Sequence, residues 1–162
     1  MSSTVPATRS ERPSRAPWPP LLLVATIATG WALGRVQPIA WPGLDDLPAR
    51  FIGYGLGAAG LALASWAIAT MIRARTTVRP DRGATVLLTT GPFRRWRNPI
   101  YLADVLIVFG VAEVTHNVWF AILAPVFALL LTWLAILPEE RHLERKFGDG
   151  YRAYKARSRR WI

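Results

Sequence analysis

Residues Val118–Leu137 read VWFAILAPVFALLLTWLAIL, without one charged side chain, and Pro138-Glu139-Glu140-Arg141 follows at once. A helix of that length rises about 30 Å, the thickness of a bilayer's hydrocarbon core. Working back along the chain, Phe51–Ile72 is likewise free of charge and of similar length. Leu21–Leu33 reaches the required length when it is extended from near Trp18 to near Arg35. A shorter block, Ile100–Val114, carries Asp104 and Glu113. The chain has 162 residues, 52% of them hydrophobic, yet a formal charge of +10, and the charges collect between the apolar blocks. A soluble domain would need far more polar chain to surround such helices. The expected fold is therefore an all-α integral membrane protein. It has about four transmembrane helices, near 18–36, 51–72, 99–114 and 118–137, and a C-terminal cytosolic amphipathic helical cap.

Charge placement orients these spans. Arg9, Arg12 and Arg15 lie before the first, and Arg73, Arg75, Arg79, Arg82, Arg94, Arg95 and Arg97 follow the second. The loop from Gln37 to Arg50 holds Asp45, Asp46 and a single arginine. Under the positive-inside rule both termini and the middle loop are cytoplasmic, which requires an even number of crossings. Residues 1–17, rich in Ser, Pro and Arg, read as a disordered cytoplasmic tail, and the apolar stretch that follows lacks a convincing small-residue cleavage site and reads as a retained helix. Residues 18–162 read as one membrane-embedded domain.

Local signals fill in the layout. Thr115-His116-Asn117 is the tight external turn of a hairpin, and Trp18, Trp41 and Trp119 fall at span ends, where indoles prefer the interface. Gly53 and Gly57 make a small-residue face for close helix approach. Pro125 is expected to kink the fourth span, and Pro99 suits the first turn of the third. Asp104 should face the interior, lining a site or pairing with Arg94 or Arg97. Glu113 should reach water at the far end. Beyond Pro138, Glu139–Lys155 reads as an amphipathic helix or helix pair punctuated by Gly148 and Gly150, with His142 turned to water. Tyr151, Tyr154 and Phe147 should pack this cap onto the bundle. The absence of cysteine excludes disulfides and thiolate catalysis. With His116 and His142 the only histidines, no metal site is expected. The basic terminus, Arg152 to Trp161, fits lipid headgroups better than nucleic acid, since no nucleic-acid fold surrounds it.

Two polar motifs flank the last hairpin, at 91–101 and 138–154. The first is Gly91-Pro92-Phe93-Arg94, then Arg97-Asn98-Pro99-Ile100-Tyr101. The second is Glu139-Glu140-Arg141-His142-Leu143, then Phe147-Gly148, Tyr151 and Tyr154. Folded together at one membrane face, they would form a polar pocket beside lipid. That arrangement suits an enzyme joining a water-soluble cofactor to a greasy substrate.

In order and spacing these motifs resemble the isoprenylcysteine carboxyl methyltransferase and phospholipid methyltransferase superfamily, over roughly Arg75 to Ile162, as a bacterial-type member. The family's Arg-His-Pro histidine is Asn98 here, which keeps hydrogen bonding but cannot titrate near neutral pH. The resemblance implies S-adenosylmethionine-dependent methylation of a lipid-like or isoprenoid acceptor, with a carboxylate the leading target, in a bacterial inner membrane. It implies Arg97 and Glu140 as catalytic residues. It implies Arg97, Asn98, Pro99, Tyr101, Glu139, Glu140 and Arg141 as cofactor-binding residues. Arg97 or Arg141 would grip the cofactor carboxylate as a fork, a glutamate would accept from ribose or ammonium, and Tyr101 would meet the cationic centre. Neighbouring helical residues point about 100° apart, so one of Glu139 and Glu140 should face the pocket. For Arg95, headgroup anchoring is the preferred role.

Two other readings compete. Sterol reductases, which use NADPH, resemble the same C-terminal layout near Ile100-Tyr101-Leu102-Ala103-Asp104, but this chain lacks the additional helices expected to hold a sterol. A non-enzymatic helical bundle would tolerate changes at Arg97, Tyr101 and Glu140.

Overall fold

The structure, a computed structural model, describes residues 17–41, 47–74 and 87–162. The expected N-terminal tail, the acidic pair Asp45-Asp46 and the basic stretch 75–86 lie outside them. Six helices follow one another: α1 Trp18–Val36, α2 Leu47–Arg73, α3 Pro99–Thr115, α4 Val118–Leu131, α5 Leu137–Phe147 and α6 Asp149–Arg157. A 3₁₀ turn, Gly91–Arg94, leads into α3, and a π-turn, Thr132–Ile136, joins α4 to α5. No strand occurs among the described residues.

Three helices are long and apolar enough to cross a membrane: α1, α2, and the 30-residue run Val118–Phe147 that α4, the π-turn and α5 make together. Helix α3, with 17 residues, is shorter. The outer faces confirm the solvent. Trp31 is 60% exposed and Trp133 65%, and Val24, Phe51, Ile52, Leu61, Trp66 and Leu129 are exposed beside them. Water would penalise apolar surface of this extent, whereas lipid does not. This is an all-α integral membrane protein.

Helix α3 lies against α2 on one side and α4 on the other, and α1 packs along α4. The main core joins Val105, Val108 and Ala112 of α3 to Phe120, Ala124, Phe127 and Leu131 of α4. The α2–α3 contact is closer still, because glycines remove the side chains that would separate the backbones. A methyl added to Gly110 would sit 2.5 Å from the Gly57 Cα, and one on Gly60 would sit 2.8 Å from the Ala103 carbonyl oxygen. Without apolar solvent contrast, such backbone approach supplies the van der Waals packing that holds membrane helices together.

At the end of the bundle remote from the polar motifs, His116 takes a left-handed conformation (φ 48°) that turns the chain from α3 into α4. Asn117 caps α4 by accepting from the Trp119 amide at 3.0 Å, while its Nδ2 donates to the Gly30 carbonyl at 2.9 Å. The Trp119 indole donates to the Gln37 carbonyl at 2.8 Å, tying this turn to the end of α1.

One sequence expectation fails here. Glu113 does not reach water: it is 5% exposed, its Oε1 has no hydrogen-bond partner among the described residues, and Gly53 makes room for its side chain. The helix of the last span runs on past Pro138. A proline lacks the N–H of a regular helix and crowds the preceding turn, and the wider π-turn at Thr132–Ile136 carries the helix through that defect into α5.

Candidate active site

The first motif is shaped by its punctuation. Gly91, at φ +58°, begins the 3₁₀ turn, Pro92 is fully buried, and the Trp96 and Arg95 amides both donate to the Pro92 carbonyl. Asn98 then precedes α3, whose first residue is the buried Pro99, where a missing N–H costs nothing. Asn98 and Tyr101 are three residues apart and so share the face on which α3 begins.

The second motif emerges from the π-turn as α5. Gly148, at φ +52°, ends α5 and starts α6, giving the helix pair expected from its glycines. Tyr151 and Tyr154 of α6 are buried against the bundle, and the Tyr154 hydroxyl donates to the Phe93 carbonyl at 2.6 Å. Burial pushes the Tyr154 phenol up to about 12 and raises that of Tyr151 as well.

The two motifs meet. Arg97 Nε donates to Glu140 Oε1 at 3.0 Å, and Arg97 Nη1 donates to the carbonyls of Lys155 (3.2 Å) and Ser158. The Tyr101 hydroxyl donates to Glu139 Oε2 at 3.3 Å. Glu140 is 5% exposed and also receives Arg160, whose Nε reaches Oε1 at 3.0 Å and whose Nη2 reaches Oε2 at 2.7 Å. This hydrogen bonding, the largest influence on Arg160, holds its guanidinium above the ordinary value.

The candidates therefore separate by environment. Arg97 holds Glu140 and the carbonyls of Lys155 and Ser158, so Arg97 is committed to Glu140 and not to Asp104. Glu139 faces Tyr101 and is half-buried. Asn98 carries a buried Nδ2 with no hydrogen-bond partner among the described residues. Arg141 is exposed on the outer face of α5. His142, expected in water, is half-buried with its Nε2 out of solvent. Arg95 is exposed, its guanidinium 5.5 Å from the centre of the Trp96 ring.

The sequence reading missed the last residues of the chain. Trp96 and Arg159 form a parallel backbone bridge: the Arg97 amide donates to the Arg159 carbonyl and the Arg159 amide to the Arg95 carbonyl, each at 2.8 Å. The Trp161 indole donates to Thr132 Oγ1 at 3.1 Å and packs against both core clusters. For Arg160 and Trp161 this replaces the headgroup role expected from charge alone. No local pattern foretold it, since a single nonlocal bridge has no periodicity to read.

The sequence model of the phospholipid methyltransferase family matches residues 48–150. The chain belongs to that family. The match spans α2 through the start of α6 and so takes in the first polar motif and the second as far as Gly150, short of Tyr151 and Tyr154. A Haemophilus influenzae protein described as uncharacterized is 43% identical over 65 residues, which is 39% of this chain and all of that protein. No solved structure matches. Membership makes this a membrane protein of a methyltransferase family.

Proposed function

We propose that the protein is an S-adenosylmethionine-dependent methyltransferase acting on a lipid-like or isoprenoid acceptor at the cytosolic membrane face. One observation carries this reading: the Arg97–Glu140 and Tyr101–Glu139 contacts assemble both family motifs into a single polar cluster at the end of apolar helices.

The residues present fit the methyl donor. Asn98 Nδ2 is a buried donor lacking an acceptor, which a carboxylate, a ribose oxygen or an adenine nitrogen would supply. Glu139 offers carboxylate oxygens to a ribose diol or an ammonium, and Tyr101 orients that carboxylate. When bound, S-adenosylmethionine would supply an electrophilic methyl on a sulfonium, which the acceptor would take in line as the carbon–sulfur bond breaks and S-adenosylhomocysteine leaves. Such a displacement asks the protein mainly for position. Arg97 and Glu140 fix the loop before α3 against α5, so that Asn98, Tyr101 and Glu139 keep their spacing. The lipid-facing helices leave the acceptor's chain in the bilayer while its polar end reaches this cluster.

Carboxylate methylation is the leading reaction. Transfer to an amine is a second reading, favoured by Asp104, a half-buried acid one turn beyond Tyr101 on α3 that suits a cationic headgroup.

Calorimetry of the purified protein with S-adenosylhomocysteine tests the donor. Binding that Glu139→Ala and Arg97→Ala abolish is expected, whereas no heat with this ligand together with binding of NADPH would overturn the assignment. Membranes incubated with methyl-labelled donor then separate the two transfers, since base releases an ester's methyl and leaves an amine's in place.

A further inference from the structure

Glu140 holds a buried negative charge, and two cations from distant parts of the chain neutralise it. Arg97 comes from the first motif, with a single contact through Nε. Arg160 comes from the chain's end and engages both carboxylate oxygens in a fork. An arginine is suited to that geometry where a lysine is not.

The backbone around Arg160 is set independently of its side chain. Residue 159 is bridged to residues 95 and 97, and residue 161 is anchored by its indole to Thr132 in the π-turn. The segment Ser158–Trp161 therefore crosses from the loop before α3 to the helix before α5. Its one buried ionic contact falls on the residue next to Glu139. Holding Glu140 in a fork fixes the rotation of the first turn of α5, and that rotation decides whether Glu139 meets Tyr101.

We infer that Arg160 is a positioning residue of the methyl-transfer site, acting through Glu140 to present Glu139, and that the C-terminal segment is a working part of this site. The inference rests on the donor-binding reading above. It assigns Glu140 to holding the site together and Glu139 to contacting the ligand.

The test is the affinity for S-adenosylhomocysteine of the full-length protein in neutral detergent, well below its melting temperature, with the melting curve recorded in parallel. Arg160→Ala, which leaves Glu140 to Arg97 alone and removes the fork, should weaken binding by about tenfold or more. Arg160→Lys, which keeps the charge and loses the fork, should fall between the two. Arg159→Ala, whose side chain is exposed while its backbone makes the bridge, should bind as the wild type does. A headgroup anchor would show none of this in neutral detergent. If Arg160→Ala binds like the wild type, the inference is overturned and the donor reading stands. If Arg160→Ala does not fold, Arg160→Lys decides, and wild-type affinity in that variant overturns the inference. A wild type that binds no S-adenosylhomocysteine overturns the donor reading itself and this role with it.

Discussion

Arg97 and Glu140, 43 residues apart in sequence, share a hydrogen bond of 3.0 Å with both side chains nearly buried. The contact closes a loop containing all of α3 and α4, and it joins the 91–101 stretch to the 138–154 stretch. Burying a charge is tolerated when it is paired and hydrogen-bonded, and both residues satisfy that condition several times over.

Removing the acid should therefore cost more than removing either base. Glu140→Ala leaves two guanidinium groups facing each other without an anion, whereas Arg97→Ala leaves Glu140 still held by Arg160. We expect a loss of about 3 kcal/mol or more for Glu140→Ala and a smaller one for Arg97→Ala. Unfolding midpoints in detergent, measured for both variants, check the order. Midpoints equal to the wild type's in both variants would mean that the pair does not support the fold.

Gly110→Val should disrupt the α2–α3 contact, because its Cβ would press on the Gly57 backbone and not on a side chain that could move. Overpacking of this kind costs about 1–3 kcal/mol. Gly55, with open space beside it, is the control, and Gly55→Ala should leave the melting temperature unchanged.

The cap should loosen in alkali. Burial raises the Tyr154 phenol from 10.0 to about 12, so the folded state holds that proton more tightly than the unfolded chain. The stabilisation is complete below pH 10 and is lost as the pH climbs toward 12. Tyr154→Phe removes the hydrogen bond to the Phe93 carbonyl, about 1 kcal/mol. It should also flatten part of the alkaline decline in melting temperature, with Tyr151 accounting for what remains.

Tyr101→Phe should weaken S-adenosylhomocysteine binding less than Glu139→Ala does. The tyrosine steadies the carboxylate, while the carboxylate itself is proposed to meet the ligand. Calorimetry of the two variants side by side gives the ranking. The reverse order would shift the ligand contact to the phenol.

Natural absence of cysteine makes the topology easy to probe. Single cysteines at Arg94 and His116, both exposed, should react with an impermeant thiol reagent from opposite faces of oriented vesicles. Labelling of both from one face would contradict the hairpin that α3 and α4 are proposed to make across the bilayer.

Much of this was legible in the residues themselves. The charge-free runs gave the helices, the punctuation by Gly91, Pro99 and Gly148 gave their ends, and Gly53 and Gly57 gave a face for close helix packing, though not its partner α3. The two motifs could be paired because each adjoins an end of the same apolar hairpin. What escaped were features that depend on distant partners. The inward position of Glu113 is made possible by a glycine on another helix. The role of Arg160 depends on a single backbone bridge. The continuity of the last helix past Pro138 depends on a π-turn that has no composition of its own. Charge counting treated Arg160 as one more basic residue at a basic end, yet its nearest anion lies twenty positions earlier.

Helix α3 has 17 residues and so rises about 25 Å, several ångströms less than the hydrocarbon it is proposed to cross. Its neighbours have no such shortfall, so the hydrophobic mismatch falls on one side of the bundle, where the bilayer must dimple or the loop before Pro99 must sink. Either adjustment lowers Asn98 and Tyr101 toward the acyl chains, and a lipid would then offer its polar end without climbing out of its leaflet. Reconstitution in lipids of graded chain length would therefore tune turnover through geometry alone, with thin membranes favoured.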